Sequence, residues 1–133
     1  MALLVPDEGE AQLLKLMTGV SLQEDYLLKL YTNAGPPAEA DVAASYTEPV
    51  GNGYAAITLA HGAGWTVATA AGVTSATFAQ QTFNFTGGPM TVNGYFVVGA
   101  TSGKLLWAEA FASAANIPAG GGSISITPRI ELA

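Results

Sequence analysis

The chain has 133 residues with no cysteine, one histidine, four basic and ten acidic side chains, and a formal net charge of -6. That length suits one domain, and the supply of side chains excludes a zinc ribbon, a disulfide scaffold, a thiol catalyst and a multi-histidine metal site. Hydrophobic residues make up 50% and charged residues 11%, against roughly 25% charged in ordinary soluble domains; disorder and coiled coil are excluded, and four cations are too few for a nucleic-acid binder.

Such a shortage of charge leaves a surface built of Ala, Thr, Ser and Gly, or one covered by neighbouring subunits, and we favour the neighbours. The opening Met-Ala-Leu-Leu-Val-Pro-Asp-Glu-Gly-Glu has no cationic segment and turns acidic early, so it does not read as a secretory signal. Apolar stretches such as Tyr95 to Ala100 fall far short of the roughly 20 residues that span a bilayer. The expectation is a protein with no membrane partner.

In chain order, residues 1–20 read as an arm and an amphipathic helix, and 21–133 as a β-sandwich domain. Pro6 can open a helix, and Asp7, Glu8 and Glu10 favour its positive end, which predicts a helix from about Asp7 to Thr18 stopped by Gly19. Leu13, Leu16, Met17 and Val20 form an apolar stripe. That stripe packs either on the protein's own core or on a neighbour.

From Ser21 the hydrophobic period becomes two. Tyr26, Leu28 and Leu30 point one way and Leu27, Lys29 and Tyr31 the other. Gly35 to Ala44, with two prolines, reads as an exposed loop. Expected strands follow at 45–50, 54–59, 65–69, 76–78, 81–85, 90–98, 104–111 and 123–132, separated by turn signals such as Gly51-Asn52-Gly53 and Thr101-Ser102-Gly103. Met90 to Val98 is apolar on both faces, as a central strand is. Pro128 marks a bulge or an edge. The pattern predicts an all-β, antiparallel, jelly-roll-like sandwich with one short N-terminal helix.

Most candidate motifs fail on chemistry. Gly99 to Lys104 looks like a phosphate-binding loop but has one residue too few between its glycines, Leu105 in place of a hydroxyl, and a strand rather than a helix after it; it reads as a hairpin turn. His61 sits in a Gly-rich turn with no nucleophile elbow, so it reads as a turn histidine. Asp7, Glu8 and Glu10 lack a calcium-loop pattern. Glu39, Asp41 and Glu48 read as solvated carboxylates. Asn84-Phe85-Thr86 matches a glycosylation pattern that strand chemistry explains equally well. Trp65, Tyr95, Phe96, Trp107 and Phe111 read as core aromatics. No enzyme, cofactor or metal is expected.

The pattern as a whole resembles the small virion structural proteins of tailed bacteriophages. The resemblance rests on Leu4-Val-Pro-Asp-Glu-Gly-Glu10 before a Leu-rich helix, Tyr26-Leu-Leu-Lys-Leu-Tyr31-Thr-Asn33, Gly53-Tyr54-Ala-Ala-Ile-Thr-Leu59 with Trp65, and the ending Ser123-Ile-Ser-Ile-Thr-Pro128-Arg-Ile-Glu-Leu132. Its most specific part is the run from Gly94-Tyr95-Phe96-Val97-Val98-Gly99 through Leu105-Leu106-Trp107-Ala108-Glu109. Such proteins are similar to head decoration or cement proteins, which clamp the joins between major capsid subunits and are often trimeric. The resemblance implies the major capsid protein and the chain itself as partners, a homotrimer, and a place on the capsid exterior. The arm and helix are the element expected to reach the capsid, with Leu3, Leu4, Val5, Leu13, Leu16 and Met17 as apolar anchors. A second reading is a receptor- or carbohydrate-binding module of a tail fibre or baseplate using Tyr46 and Tyr54; a third is a tail or neck component.

Overall fold

The protein, seen in a computed structural model, is described here over residues 2–132; Met1 and Ala133, the outermost residues of the expected 1–20 and 21–133 units, lie outside the described residues. The elements are β1 (Ala2–Leu4), α1 (Asp7–Thr18), β2 (Tyr26–Tyr31), a 3-10 turn (Ala43–Ser45), β3 (Ile57–Leu59), β4 (Trp65–Ala70), β5 (Val73–Phe78), β6 (Gln81–Phe85), β7 (Met90–Gly99), β8 (Leu105–Ile117), β9 (Gly122–Ile126) and β10 (Arg129–Leu132). Strand pairing among the described residues is antiparallel throughout. The sheets run β1-β8-β7-β2-β3, β10-β5-β4 and β6-β9.

The large sheet is buried on both faces. Leu28, Leu30, Tyr95 and Val97 join Phe83 and Phe85 of β6 and Ile124 and Ile126 of β9 in the main core. On the opposite face Tyr31, Phe96 and Val98 form a second cluster with Leu105 and Ala108, covered by Leu27, Ala43 and Tyr46. This is the two-way alternation that β2 and β7 carry in sequence, each full burial of an apolar side chain contributing about 1.5–3 kcal/mol. At β8 the register slips: Val97 pairs with Trp107 and Val98 with Leu105. Leu106 is therefore the extra residue of a bulge, which lets Leu106 and Trp107 both enter the main core.

Helix α1 docks on this bulge. It runs from Asp7 to Thr18 as its sequence predicts, with Pro6 as N-cap, three acidic residues in the first turn and Gly19 closing it in the left-handed conformation. Its fully buried positions are Gly9 and Gln12 rather than the leucines. A side chain on Gly9 would overlap the backbone carbonyl of Leu106, so glycine here permits close approach of helix and strand, against its poor helix propensity. Gly9→Ala gains about 1 kcal/mol of propensity but overpacks a rigid backbone at a cost of about 1–3 kcal/mol. A lower melting temperature in calorimetry is the expected result.

Elsewhere the chain departs from the expected strands. The arm is a strand: Ala2, Leu3 and Leu4 pair with Ala110, Glu109 and Ala108, and Leu3 and Val5 pack against the main core. Residues 45–50 form no strand, because the Asn33 side chain accepts from Thr47 N (2.9 Å) and donates to the Ser45 carbonyl (3.4 Å), taking the place of a strand partner. The strand expected over 54–59 shortens to β3, since Gly51–Tyr54 is spent on a turn. The last expected strand divides at Pro128, β9 pairing with β6 and β10 with β5.

The β4–β5 hairpin is longer than its apolar residues suggest. Ala70 pairs with Val73, leaving a two-residue loop in which Ala71 (φ 50°) and Gly72 (φ 81°) both take positive φ. That is the primed geometry matching strand twist, and Asn-Gly fits it best. Alanine in the left-handed region costs about 1–2 kcal/mol. Ala71→Asn is expected to raise stability by roughly 0.5–1 kcal/mol, measurable as an increased denaturant midpoint at unchanged slope.

Candidate functional site

An apolar groove of about 290 Å³ opens between α1 and the β4–β5–β10 sheet. Leu13 forms the helix wall, Val67, Ala76 and Ile130 the sheet wall, and Tyr26, Trp65 and Trp107 the floor. The floor aromatics meet edge to face, Trp65 lying 6.0 Å from Tyr26 and 6.3 Å from Trp107. Trp65 Nε1 donates to the Ala60 carbonyl at 3.0 Å, and His61 N donates to Asp25 Oδ1 at 2.8 Å, which pins the rim. His61 is thus an exposed rim residue held by its backbone. Trp65, expected in the core, is partly buried and lines the groove.

Beyond the groove lies exposed apolar surface: Leu14 (59%) and Met17 (77%) on α1, and Val20 (75%) and Leu22 (90%) on the chain that follows it. Met17 lies four residues after Leu13, on the same helix face, so it continues the groove wall outward. The six expected anchors are therefore not one patch. Leu3, Leu4 and Val5 are half-buried on the protein's own sheet, Leu13 and Leu16 are half-buried along the helix, and Met17 alone of the six is exposed. Leu14 and Leu22 belong to the exposed surface and are absent from the expected set. The signal that separates them is Gly9: counting from it, Gln12, Leu13 and Leu16 fall on the docked stripe, and Leu14 falls off it.

The turn after β7 holds a carboxylate of the chain itself. Glu24 Oε2 accepts from Thr101 N (2.7 Å) and Ser102 N (2.8 Å), and Glu24 Oε1 from Ser102 Oγ (2.6 Å). The N–H groups that a phosphate would need are occupied, and the run expected to be a hairpin turn is one. Glu8 works similarly: Oε2 accepts from Leu105 N at 2.9 Å and Oε1 pairs with Lys104 at 3.2 Å, tying the helix start to β8. Burial alone would raise the Glu24 carboxyl, but the hydrogen bonds from Ser102 and Thr101 leave it below the usual glutamate value. A carboxyl with a lower folded than unfolded pKa binds fewer protons when folded, so its stabilisation is complete above the unfolded value and disappears as pH falls through the folded one. Glu24→Gln should lower the melting temperature at neutral pH, and the gap to wild type should close in acid below the ordinary glutamate range.

Two carboxylates of the loop before β3 have partners too. Asp41 accepts from Tyr46 OH at 2.8 Å, and Glu48 from Tyr54 OH at 2.7 Å and Lys29 at 3.1 Å. These two carboxylates are not merely solvated, as expected from sequence, but anchor tyrosines whose rings are packed. Tyr46 stacks on Phe96 (4.9 Å) and Tyr54 on Phe83 (5.8 Å), so each ring is packed against the protein's own core. Burial first, then the adjacent carboxylate, pushes both hydroxyls well above the usual tyrosine range.

A second, polar cleft of about 500 Å³ lies between β1–β8 and β5–β10. In it Tyr95 OH donates to Glu109 Oε2 at 2.7 Å and Arg129 pairs with Glu131. The cleft thus sets two carboxylates beside a tyrosine hydroxyl and a guanidinium. Among the described residues no group of three or more His, Cys, Asp or Glu could hold a metal ion, and no helix is long and apolar enough to cross a membrane. Comparison with protein-family models and with curated proteins finds no match.

Proposed function

We propose that the protein is a non-enzymatic virion structural protein of a tailed bacteriophage, a head decoration or cement protein that binds the assembled shell from outside. The observation that carries this reading is the exposed apolar surface of Leu14 and Met17 on α1, with Val20 and Leu22 on the chain leaving it, close in sequence to the groove wall at Leu13. Exposed apolar residues gathered on a helix and the chain leaving it mark an interaction surface. The residue runs that resemble those of small phage structural proteins suggest the kind of partner: the major capsid protein, with the chain itself as a second, trimeric in the proteins it resembles. The jelly-roll-like sandwich belongs to the same reading, supported by antiparallel sheets packed on a common core.

The apolar anchor moves in this reading. Leu3, Leu4 and Val5 serve the protein's own sheet, and the capsid contact falls to the outward helix face. A cement protein acts through differential affinity: binding the shell but not its separated subunits shifts the equilibrium toward the shell. The test is co-sedimentation with empty phage heads against isolated capsid subunits. Selective binding to heads is expected, and Leu14→Glu with Met17→Glu should weaken it by at least roughly tenfold, as the loss of a buried apolar anchor does. Equal affinity for heads and subunits, or unchanged binding by the folded double variant, removes the proposal.

A further inference from the structure

No Asp, Glu, Lys or Arg occurs between Glu48 and Lys104, so β3, β4, β5, β6 and β7 carry no formal charge in a chain whose net charge is -6. Within this neutral stretch the β4–β5 hairpin projects. Every residue of β4 after Trp65 is exposed, Val67 by 69%. β5 is paired on both sides, with β4 and β10, which leaves the outer edge of β4 unpaired.

Edges of this kind invite strand addition unless they are short, charged, bulged or interrupted by proline. The other edges of the two larger sheets have such guards. β1 and β3 are three residues each, and β10 bears Arg129 and Glu131. The part of β8 beyond β1 is broken where its register with β7 shifts between Val92 and Gly94. β4 has six residues, Trp-Thr-Val-Ala-Thr-Ala, with no guard at all.

We propose that the outer edge of β4 is a self-association site, pairing antiparallel with β4 of a second copy across a two-fold axis at Ala68. A copy of this chain is the occupant because the edge is complementary to itself about Ala68, and with no charged residue in β4 or β5 the pairing sets no like charges opposite one another despite the net charge of -6. The register follows from the hairpin. With a two-residue loop, Ala70 and Val73 are a hydrogen-bonded pair, and the pattern alternates from there, so Ala68 bonds inward while Val67 and Thr69 direct their N–H and C=O outward. The Thr69–Thr74 hydroxyl contact at 2.8 Å fits a close, non-hydrogen-bonded pair. Across the axis Val67 meets Thr69 of the partner copy and Thr69 meets its Val67. The small Ala68 side chains face each other without clash, and the two three-stranded sheets become one of six strands. The contact is isologous and therefore two-fold. Alone it gives dimers; with a three-fold contact elsewhere it joins trimers.

The site requires only the chain itself, so its test contains no capsid and its failure leaves head binding undecided. Because the natural chain has no cysteine, Ala68→Cys should form an intermolecular disulfide under mild oxidation, while Val50→Cys, on an exposed turn away from the hairpin, should lag far behind. Sedimentation of the full chain over a concentration series should show even-numbered species. Val67→Lys sets charge into the edge and Thr69→Pro removes an outward N–H; each should weaken association by roughly tenfold or more, as charge juxtaposed in an interface does, with the far-ultraviolet spectrum unchanged. A chain that stays monomeric at every concentration overturns the proposal. So does a trimer unaffected by either variant, equal cross-linking at positions 50 and 68, or association abolished by Leu14→Glu but not by Val67→Lys.

Discussion

The requirement to bury β7 on both faces organises this molecule. Tyr95 and Val97 on one side and Phe96 and Val98 on the other are all apolar, and a strand of that kind is stable only when both sheet faces are covered. One cover is the β6–β9 pair with Phe83, Phe85, Ile124 and Ile126. The other is irregular chain, the segment carrying Ala43 and Tyr46. Irregular backbone has no ladder to hold it flat, so it is pinned by Asn33 to Thr47, by Tyr46 to Asp41 and by Glu48 to Lys29 and Tyr54.

The few charges are spent on those seams. Glu8 joins the helix to β8, Glu24 joins the chain before β2 to the β7–β8 turn, Glu48 joins the irregular cover to β2, and Arg129 pairs with Glu131 along β10. A carboxylate that accepts two backbone N–H groups fixes a turn more firmly than an exposed ion pair does, since charge-assisted bonds to backbone carry direction as well as charge. Three of the four cations are occupied in this way. β4 and β5 carry none of the remaining charge that would keep an outward edge apart from other proteins.

Much of the fold was legible because the burial pattern is regular where the sheet is regular. β2, β6 and β7 follow their alternation, and α1 begins and ends at its capping residues. The reading failed where long-range partners overrode local pattern. β1 is too short to show a period and exists because the edge of β8 receives it. Residues 45–50 look like a strand, yet Asn33, distant in sequence, takes their hydrogen bonds. The exposed surface was half legible: the apolar content of α1 was evident, but which face points outward depends on Gly9 meeting Leu106, a contact between residues far apart in the chain.

Helix and hairpin then pose one physical question from two directions. Leu14 and Met17, which an isolated amphipathic helix would bury, stand outside while a glycine and a glutamine take the innermost positions. The hairpin that an isolated sheet would leave fraying is held by β10 on one side only. Both choices forgo burial within the monomer, and a helix or a strand edge left so is stable only while the rest of the fold carries it. The core around β7 does so, and its pinned seams keep these outer elements in fixed geometry. Such pre-organisation lowers the ordering cost of any contact made through them. A groove with an aromatic floor, beside exposed Leu14 and Met17, therefore needs little reordering for a contact made through it.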